Sequence, residues 1–257
     1  MTPPGIARRA SRLPAVVRDG WNYPMLRLQS RNRLAPAGAL AVLGFDAEEL
    51  VEVERDFEAV AGVLYPRLLA RAQSVGDAEA ERRLAAPSSS SRDAKRLLYL
   101  AVRILRPALV VETGPFNGTS SAFLLAALDD NGHGRLVSFD VPAAKDAIGV
   151  PIPTGLEPGW LVPDELRPRF ALVLGDIRET LGPWLATEKP IDLFLHDSLH
   201  TLRHMLFEYR LAWRHLRPGG LLVSDDVFWN PAFWLFTRRH RVPFSHIGTI
   251  GLVRKPA

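Results

Sequence analysis

The chain reads as an α/β protein: a mostly parallel sheet with helices on both faces, preceded by a helical extension. Three observations predict this. From residue 108 onward, short β-branched runs alternate with helix-length segments, the pattern of parallel strands joined by crossover helices. The first run, Leu109 to Glu112, leads directly into a turn with glycines at 114 and 118 and a small-residue helix start, Ser120-Ser121-Ala122. With 257 residues, 47% of them hydrophobic, the chain is long and apolar enough for one α/β domain with an appendage.

The elements follow in order. Residues 1–45 are rich in Pro and Arg and carry scattered apolar residues (Trp21, Tyr23, Met25, Leu26) without a period, which predicts a basic, extended arm, partly packed. A helical extension occupies 46–105. Asp46 opens its first helix, with Glu49 in capping-box position, and Leu50, Val53, Phe57, Ala61, Leu64 and Leu68 form one apolar stripe at steps of three and four. Ser88 to Asp93 cap a second helix, in which Leu97, Ala101 and Ile104 face inward and which Pro107 stops. The domain proper spans 106–257. Strands are expected at 108–112, 135–140, 170–175, 191–196 and 220–225, with helices at about 119–128, 178–186 and 201–215 between them. Segment 142–168 carries six prolines and no period, so a long loop is expected there, acting as a lid or linker. A helix near 231–239 and a strand near 248–254 close the chain.

Composition excludes several classes. Without cysteine there is no disulfide, thiolate zinc site or cysteine nucleophile. No apolar run approaches the ~18–20 residues that span a bilayer, and no signal-peptide h-region is present, so a cytoplasmic protein without membrane partners is expected. The net charge of +4 is uneven: residues 1–45 hold seven arginines and one acid, a net of +6, leaving −2 on 46–257. The basicity therefore belongs to the arm, which argues against nucleic acid as the partner of the domain. Only four of the 32 basic residues are lysine, which with the abundant Ala and Pro points to a GC-rich bacterial genome. Self-association stays open.

In an open parallel sheet, ligands bind beyond the carboxyl ends of the strands, and those ends are acidic here: Glu112, Asp140, Asp176, Asp197, Asp225 and Asp226. Glu112-x-Gly114-x-x-x-Gly118 lacks the third glycine of a dinucleotide loop, and an acid at the strand tip repels a diphosphate but suits a cationic ligand with an amino-acid head, such as S-adenosylmethionine. Asp140, 28 residues after Glu112, is placed to accept ribose hydroxyls; Asp176 is placed to take an adenine amino group or to cap the helix behind it. Asp197, Asp225 and Asp226 offer three hard oxygen donors suited to Mg²⁺, provided the last strand breaks between 225 and 226. His200, beside Asp197, is the candidate base. His200 and His204 form H-x-x-x-H without the glutamate of a zinc protease, His196 is expected to pack on its strand, and Phe116 and Trp160 are candidates to line the pocket.

With these residues in place, the stretch 90–254 resembles the class I S-adenosylmethionine-dependent methyltransferases, and within them the metal-dependent small-molecule O-methyltransferases of catechol and macrocin type. The resemblance implies a Rossmann-like fold with a seven-stranded sheet. It implies S-adenosylmethionine at Glu112, Gly114, Phe116, Gly118, Ser120, Asp140 and Asp176, and Mg²⁺ at Asp197, Asp225 and Asp226. His200 stands where the catechol group has a lysine base. The implied acceptor is a hydroxyl of a small molecule, a natural-product sugar or a phenol. Competing readings are a methyltransferase without metal, an RNA methyltransferase using the basic arm, a non-catalytic S-adenosylmethionine-binding module, and a nicotinamide-dependent oxidoreductase, the last disfavoured by the missing glycine.

Overall fold

The computed structural model describes residues 34–142, 152–188 and 190–257; most of the expected arm and positions 143–151 of the Pro-rich loop lie outside these. Four helices come first: α1 Pro36–Ala41, α2 Ala47–Val75, α3 Ala78–Ala85 and α4 Ser89–Leu105. Then follow β1 Leu109–Thr113, α5 Thr119–Asp130, β2 Arg135–Asp140, a 3-10 turn Asp164–Arg169, β3 Phe170–Leu174, α6 Ile177–Thr187, β4 Ile191–His196, α7 Leu202–His215, β5 Leu216–Ser224, α8 Ala232–His240, β6 Phe244–Ile247 and β7 Ile250–Arg254. The strands form one seven-stranded sheet in the order β3-β2-β1-β4-β5-β7-β6. The first five run parallel and β7 lies antiparallel to both its neighbours.

Alternation along the strands splits the core in two, because successive side chains leave opposite faces. Val110, Leu136, Leu193, Leu195, Leu221, Val223 and Leu252 face one core, and Leu109, Val111, Val137, Phe139, Phe194, Leu222 and Val253 the other. The first core is closed by α1, α2, α3, α4 and α5, the second by α6, α7 and α8. The N-terminal helices, together with α5, are therefore one of the two layers of the sandwich. Their caps are as the sequence predicts: Asp46 accepts from the N–H groups of Glu48 and Glu49, and Ser88 from that of Ser91. The α2 stripe is buried from Leu50 to Leu68.

Several elements differ from expectation. The end of the arm is helical rather than extended, with Ala39 and Leu40 fully buried, since Pro36 at the first helical position presets the backbone. Helix α3, absent from the sequence reading, is capped by Asp77 and buries only Ala80 and Leu84, too few to leave a period. Strand β5 begins at Leu216, four residues early: the Pro-Gly-Gly stretch bulges between the Ile191 and Leu193 pairings and then rejoins the ladder. Strand β6 has four residues, below the length at which alternation is readable. The described end of the Pro-rich loop is packed rather than lid-like: Trp160, Leu161 and Val162 are buried in the first core, and Arg71 of α2 donates to the Trp160 carbonyl. Among the described residues no helix is long and apolar enough to cross a membrane.

Candidate active site

The tips of β1, β2, β4 and β5 converge. After β1 the chain turns through Gly114 (φ 75°), Phe116 (φ 48°) and Gly118 (φ 93°). A Cβ on Gly114 would lie 2.4 Å from the Asp197 carbonyl oxygen, and one on Gly118 would lie 2.8 Å from the Cα of Gly159. Both glycines are thus required by left-handed backbone and by close approach of other chain segments. The loop is pinned on each side: Gly114 N–H donates to Phe139 O, Gly159 N–H to Phe116 O, Leu161 N–H to Asn117 O and Asp197 N–H to Thr113 O. Phe116 itself is half-buried beside this turn.

Glu112 is fully buried. Its Oε2 accepts from the hydroxyls of Ser121 and Ser138, each at 2.6 Å, while Oε1 has no partner. Burial pushes its pKa up, against the two serine hydrogen bonds and the charge of Lys95, which pull it down. Ser120 lies in the first turn of α5, buried. Asp140 closes β2 and folds back on the loop, Oδ2 accepting from Phe116 N–H at 3.2 Å and Oδ1 from Val141 N–H at 2.8 Å. Asp176 caps α6 and is paired with the Arg178 guanidinium, which holds its pKa down at about 2. Of its two expected roles, the structure displays the cap. Trp160 is taken up by the core.

Asp197, Asp225 and Asp226 do come together, and β5 ends at Ser224 with Asp226 in left-handed backbone (φ 48°), the break the sequence reading required. Desolvation and then the charge of Asp225 raise Asp197 well above the usual carboxylate range, and desolvation and Asp225 raise Asp226. The expected magnesium site is nevertheless not formed: among the described residues no three carboxylate or imidazole groups are placed to ligate one ion. Asp225 Oδ1 accepts from Asp226 N–H and Thr249 Oγ1, and His200 stands between the other two, Nε2 3.9 Å from Asp197 Oδ1 and Nδ1 3.9 Å from Asp226 Oδ2. His200 Nε2 has no hydrogen-bond partner, and burial, with the neighbouring His196, lowers the pKa of its imidazole to about 4. At the rim, Leu199 is half exposed and Trp229 72% exposed. Asn230 ties the Trp229 turn to the His200 carbonyl at 3.2 Å.

The sequence reading missed two groups. Lys95, from α4, is the cation whose charge acts on both Glu112 and Asp197; its rarity as a lysine was the available signal. Glu208 of α7 is fully buried and accepts four hydrogen bonds: from Thr113 Oγ1 (2.6 Å), His196 Nδ1 (2.7 Å), Ser198 Oγ (2.6 Å) and His204 Nε2 (2.6 Å). Its signal was a carboxylate on the buried stripe Met205, Tyr209, Ala212, four residues after His204. The H-x-x-x-H pair is therefore a hydrogen-bonding arrangement at His204 and a pocket position at His200.

Residues 111–227 match the family described as a methyltransferase domain. No curated protein sequence matches the chain. Among solved structures, the chain is similar to the O-methyltransferase TomG from Streptomyces achromogenes, crystallised with S-adenosylmethionine (20% identity, 74% of this chain and 90% of that one, TM-score 0.52). It is also similar to an O-methyltransferase from Bacillus cereus in complex with S-adenosylhomocysteine (19%, 72% and 91%, TM-score 0.51) and to the S-adenosylhomocysteine-bound methyltransferase PaMTH1 of Podospora anserina (14%, 74% and 88%, TM-score 0.52). At these identities the likeness to the solved structures is one of fold.

Proposed function

We propose that this protein is a class I methyltransferase that uses S-adenosylmethionine to methylate a hydroxyl group of a small molecule. The observation that carries the reading is Glu112: a fully buried carboxylate at the tip of β1, inside the segment matched by the methyltransferase family, with one oxygen partnered and the other bare. A buried unsatisfied oxygen costs about 1–3 kcal/mol, so it is best explained by a donor that arrives with a ligand. The ammonium of the cofactor's amino-acid head is such a donor. Asp140, at the end of β2 and folded back on the glycine loop through the Phe116 N–H, is the acid assigned to the ribose hydroxyls. Gly114, Phe116, Gly118 and Ser120 supply the backbone rim and helix start beside them.

When bound, the cofactor supplies a methyl group on a cationic sulfur, open to in-line displacement by oxygen. The protein's own contribution is positioning and proton transfer. His200, set between Asp197 and Asp226, is the group assigned to take the hydroxyl proton. Leu199 and Trp229 offer an apolar rim to the acceptor's body, in keeping with a phenolic or otherwise apolar hydroxyl compound. Asp197, Asp225 and Asp226 do not fit a metal ion as arranged, so no step is assigned to one.

Calorimetric titration of S-adenosylhomocysteine, in magnesium and again in chelator, tests the reading. Micromolar binding is expected in both buffers. Absence of binding in both would overturn the cofactor assignment, and binding only with magnesium would show that the three aspartates rearrange around an ion.

A further inference from the structure

Two of the four donors to Glu208 flank Asp197 in sequence, His196 before it and Ser198 after it, and a third, Thr113, immediately precedes Gly114. One carboxylate on α7 thus fastens the tips of β1 and β4 together at the place where the glycine loop meets Asp197. The fourth donor, His204, lies one turn earlier on the same helix and fills the second site on Oε1. All the acceptor capacity turned toward these groups is used, and each bond is 2.6–2.7 Å, the short range of charge-assisted hydrogen bonds.

The arrangement has a chemical consequence at His196. A carboxylate offers no proton, so Nδ1 must carry the hydrogen, and in a neutral ring Nε2 is then a bare lone pair. His196 is fully buried and its Nε2 has no partner. The ring meets His200 edge to face, centroids 5.3 Å apart at 79°, and it also meets Tyr209 at 5.4 Å. The imidazole assigned to proton transfer therefore rests on a second imidazole whose orientation and tautomer are set by Glu208. The four donors that face Glu208 replace the water lost on burial.

We propose that Glu208 is a positioning residue for the methyl transfer: it locks His196 as the Nδ1–H tautomer and, through His196, Ser198 and Thr113, holds His200 and Asp197 at the acceptor side of the pocket. The inference rests on the proposed function for its purpose, but its structural content stands apart from it. Glu208→Gln is the informative change, since it keeps shape and replaces an acceptor oxygen with an N–H donor. The N–H donor meets His196 if it takes the Oε2 position and His204 if it takes the Oε1 position, so one of these two rings must change tautomer.

The test is histidine side-chain nitrogen NMR on the full-length ¹⁵N-labelled protein at neutral pH, with His196→Gln and His200→Gln used to assign signals. In the wild type, His196 is expected as Nδ1–H and His204 as Nε2–H; in Glu208→Gln whichever of the two faces the amide nitrogen changes tautomer, and where it is His196 the His200 ring signals move with it, whereas a folded variant in which neither ring changes overturns the inference. A wild-type His196 in the Nε2–H form overturns the inference even if the variant does not fold. So does a variant in which His196 switches and His200 does not respond. Loss of cofactor affinity in the wild type would instead overturn the proposed function and leave the His196 tautomer standing.

Discussion

Two fully buried glutamates sit near the tip of β1 and have opposite characters. Glu208 accepts four hydrogen bonds and is held ionised, its pKa far below the usual range. Glu112 accepts two, both on one oxygen, and burial pushes its pKa up. Burial is the same; the donor count differs. A carboxylate taken out of water keeps its charge only where the protein replaces the lost solvent donors. Glu208 is closed by the protein itself and belongs to the scaffold under the site. Glu112 is left open on one side, which is what a ligand-binding acid needs.

The contrast can be broken most strongly at Glu208. Glu208→Ala strands four buried donors and is expected to cost about 3–5 kcal/mol, since removing one partner of a buried charge network leaves the others unpaired. Thermal unfolding should show a fall in Tm of about 10 °C. The pH dependence follows from the lowered pKa: the stabilisation is present above the ordinary carboxylate range and is lost as pH falls below about 4 toward the folded-state value. The stability gap between wild type and Glu208→Gln should therefore be full at pH 7 and shrink in acid. A gap that grows in acid would overturn this reading.

Glu112→Gln is expected to do the reverse. A raised pKa means that the stabilisation is present below the ordinary range and is lost as pH rises through the folded-state value. The glutamine variant, neutral at every pH, should then be at least as stable as wild type at pH 8. Its S-adenosylhomocysteine affinity should nonetheless fall about tenfold, the loss of one charge-assisted hydrogen bond. Unchanged affinity in calorimetry would remove Glu112 from the cofactor site. The smallest effect is expected at Asp176, a half-exposed cap. Asp176→Ala should cost about 1 kcal/mol in denaturant unfolding, an effect lost between about pH 4 and 2, because the pairing with Arg178 holds the pKa down at about 2.

Much of this was legible from residues in order along the chain. The alternation of β-branched runs and amphipathic stripes located five parallel strands and their helices, and the caps Asp46, Ser88 and Asp176 all act as caps. The strand-end acids Glu112, Asp140, Asp197, Asp225 and Asp226 were readable because a parallel sheet brings all its carboxyl ends to one edge. Local spacing specifies such features: helix period, strand period and cap position each depend on a handful of neighbouring residues.

Tertiary structure decided the rest. Helix α3 and strand β6 have too few buried side chains to leave a pattern, so packing against neighbours defines them. That the N-terminal helices join α5 in one layer of the sandwich, and bring Lys95 to bear on Glu112 and Asp197, depends on contacts distant in sequence. The three aspartates expected around magnesium share a region without sharing a geometry, because His200 and the Thr249 hydroxyl occupy their approaches. The sequence by itself determined the longer periodic elements and which charged groups reach the edge of the sheet, as period and spacing are local. Only the fold decided which acids are closed by donors and which stay open, since Thr113, His196, Ser198 and Glu208 come from three elements that meet only when the sheet is assembled.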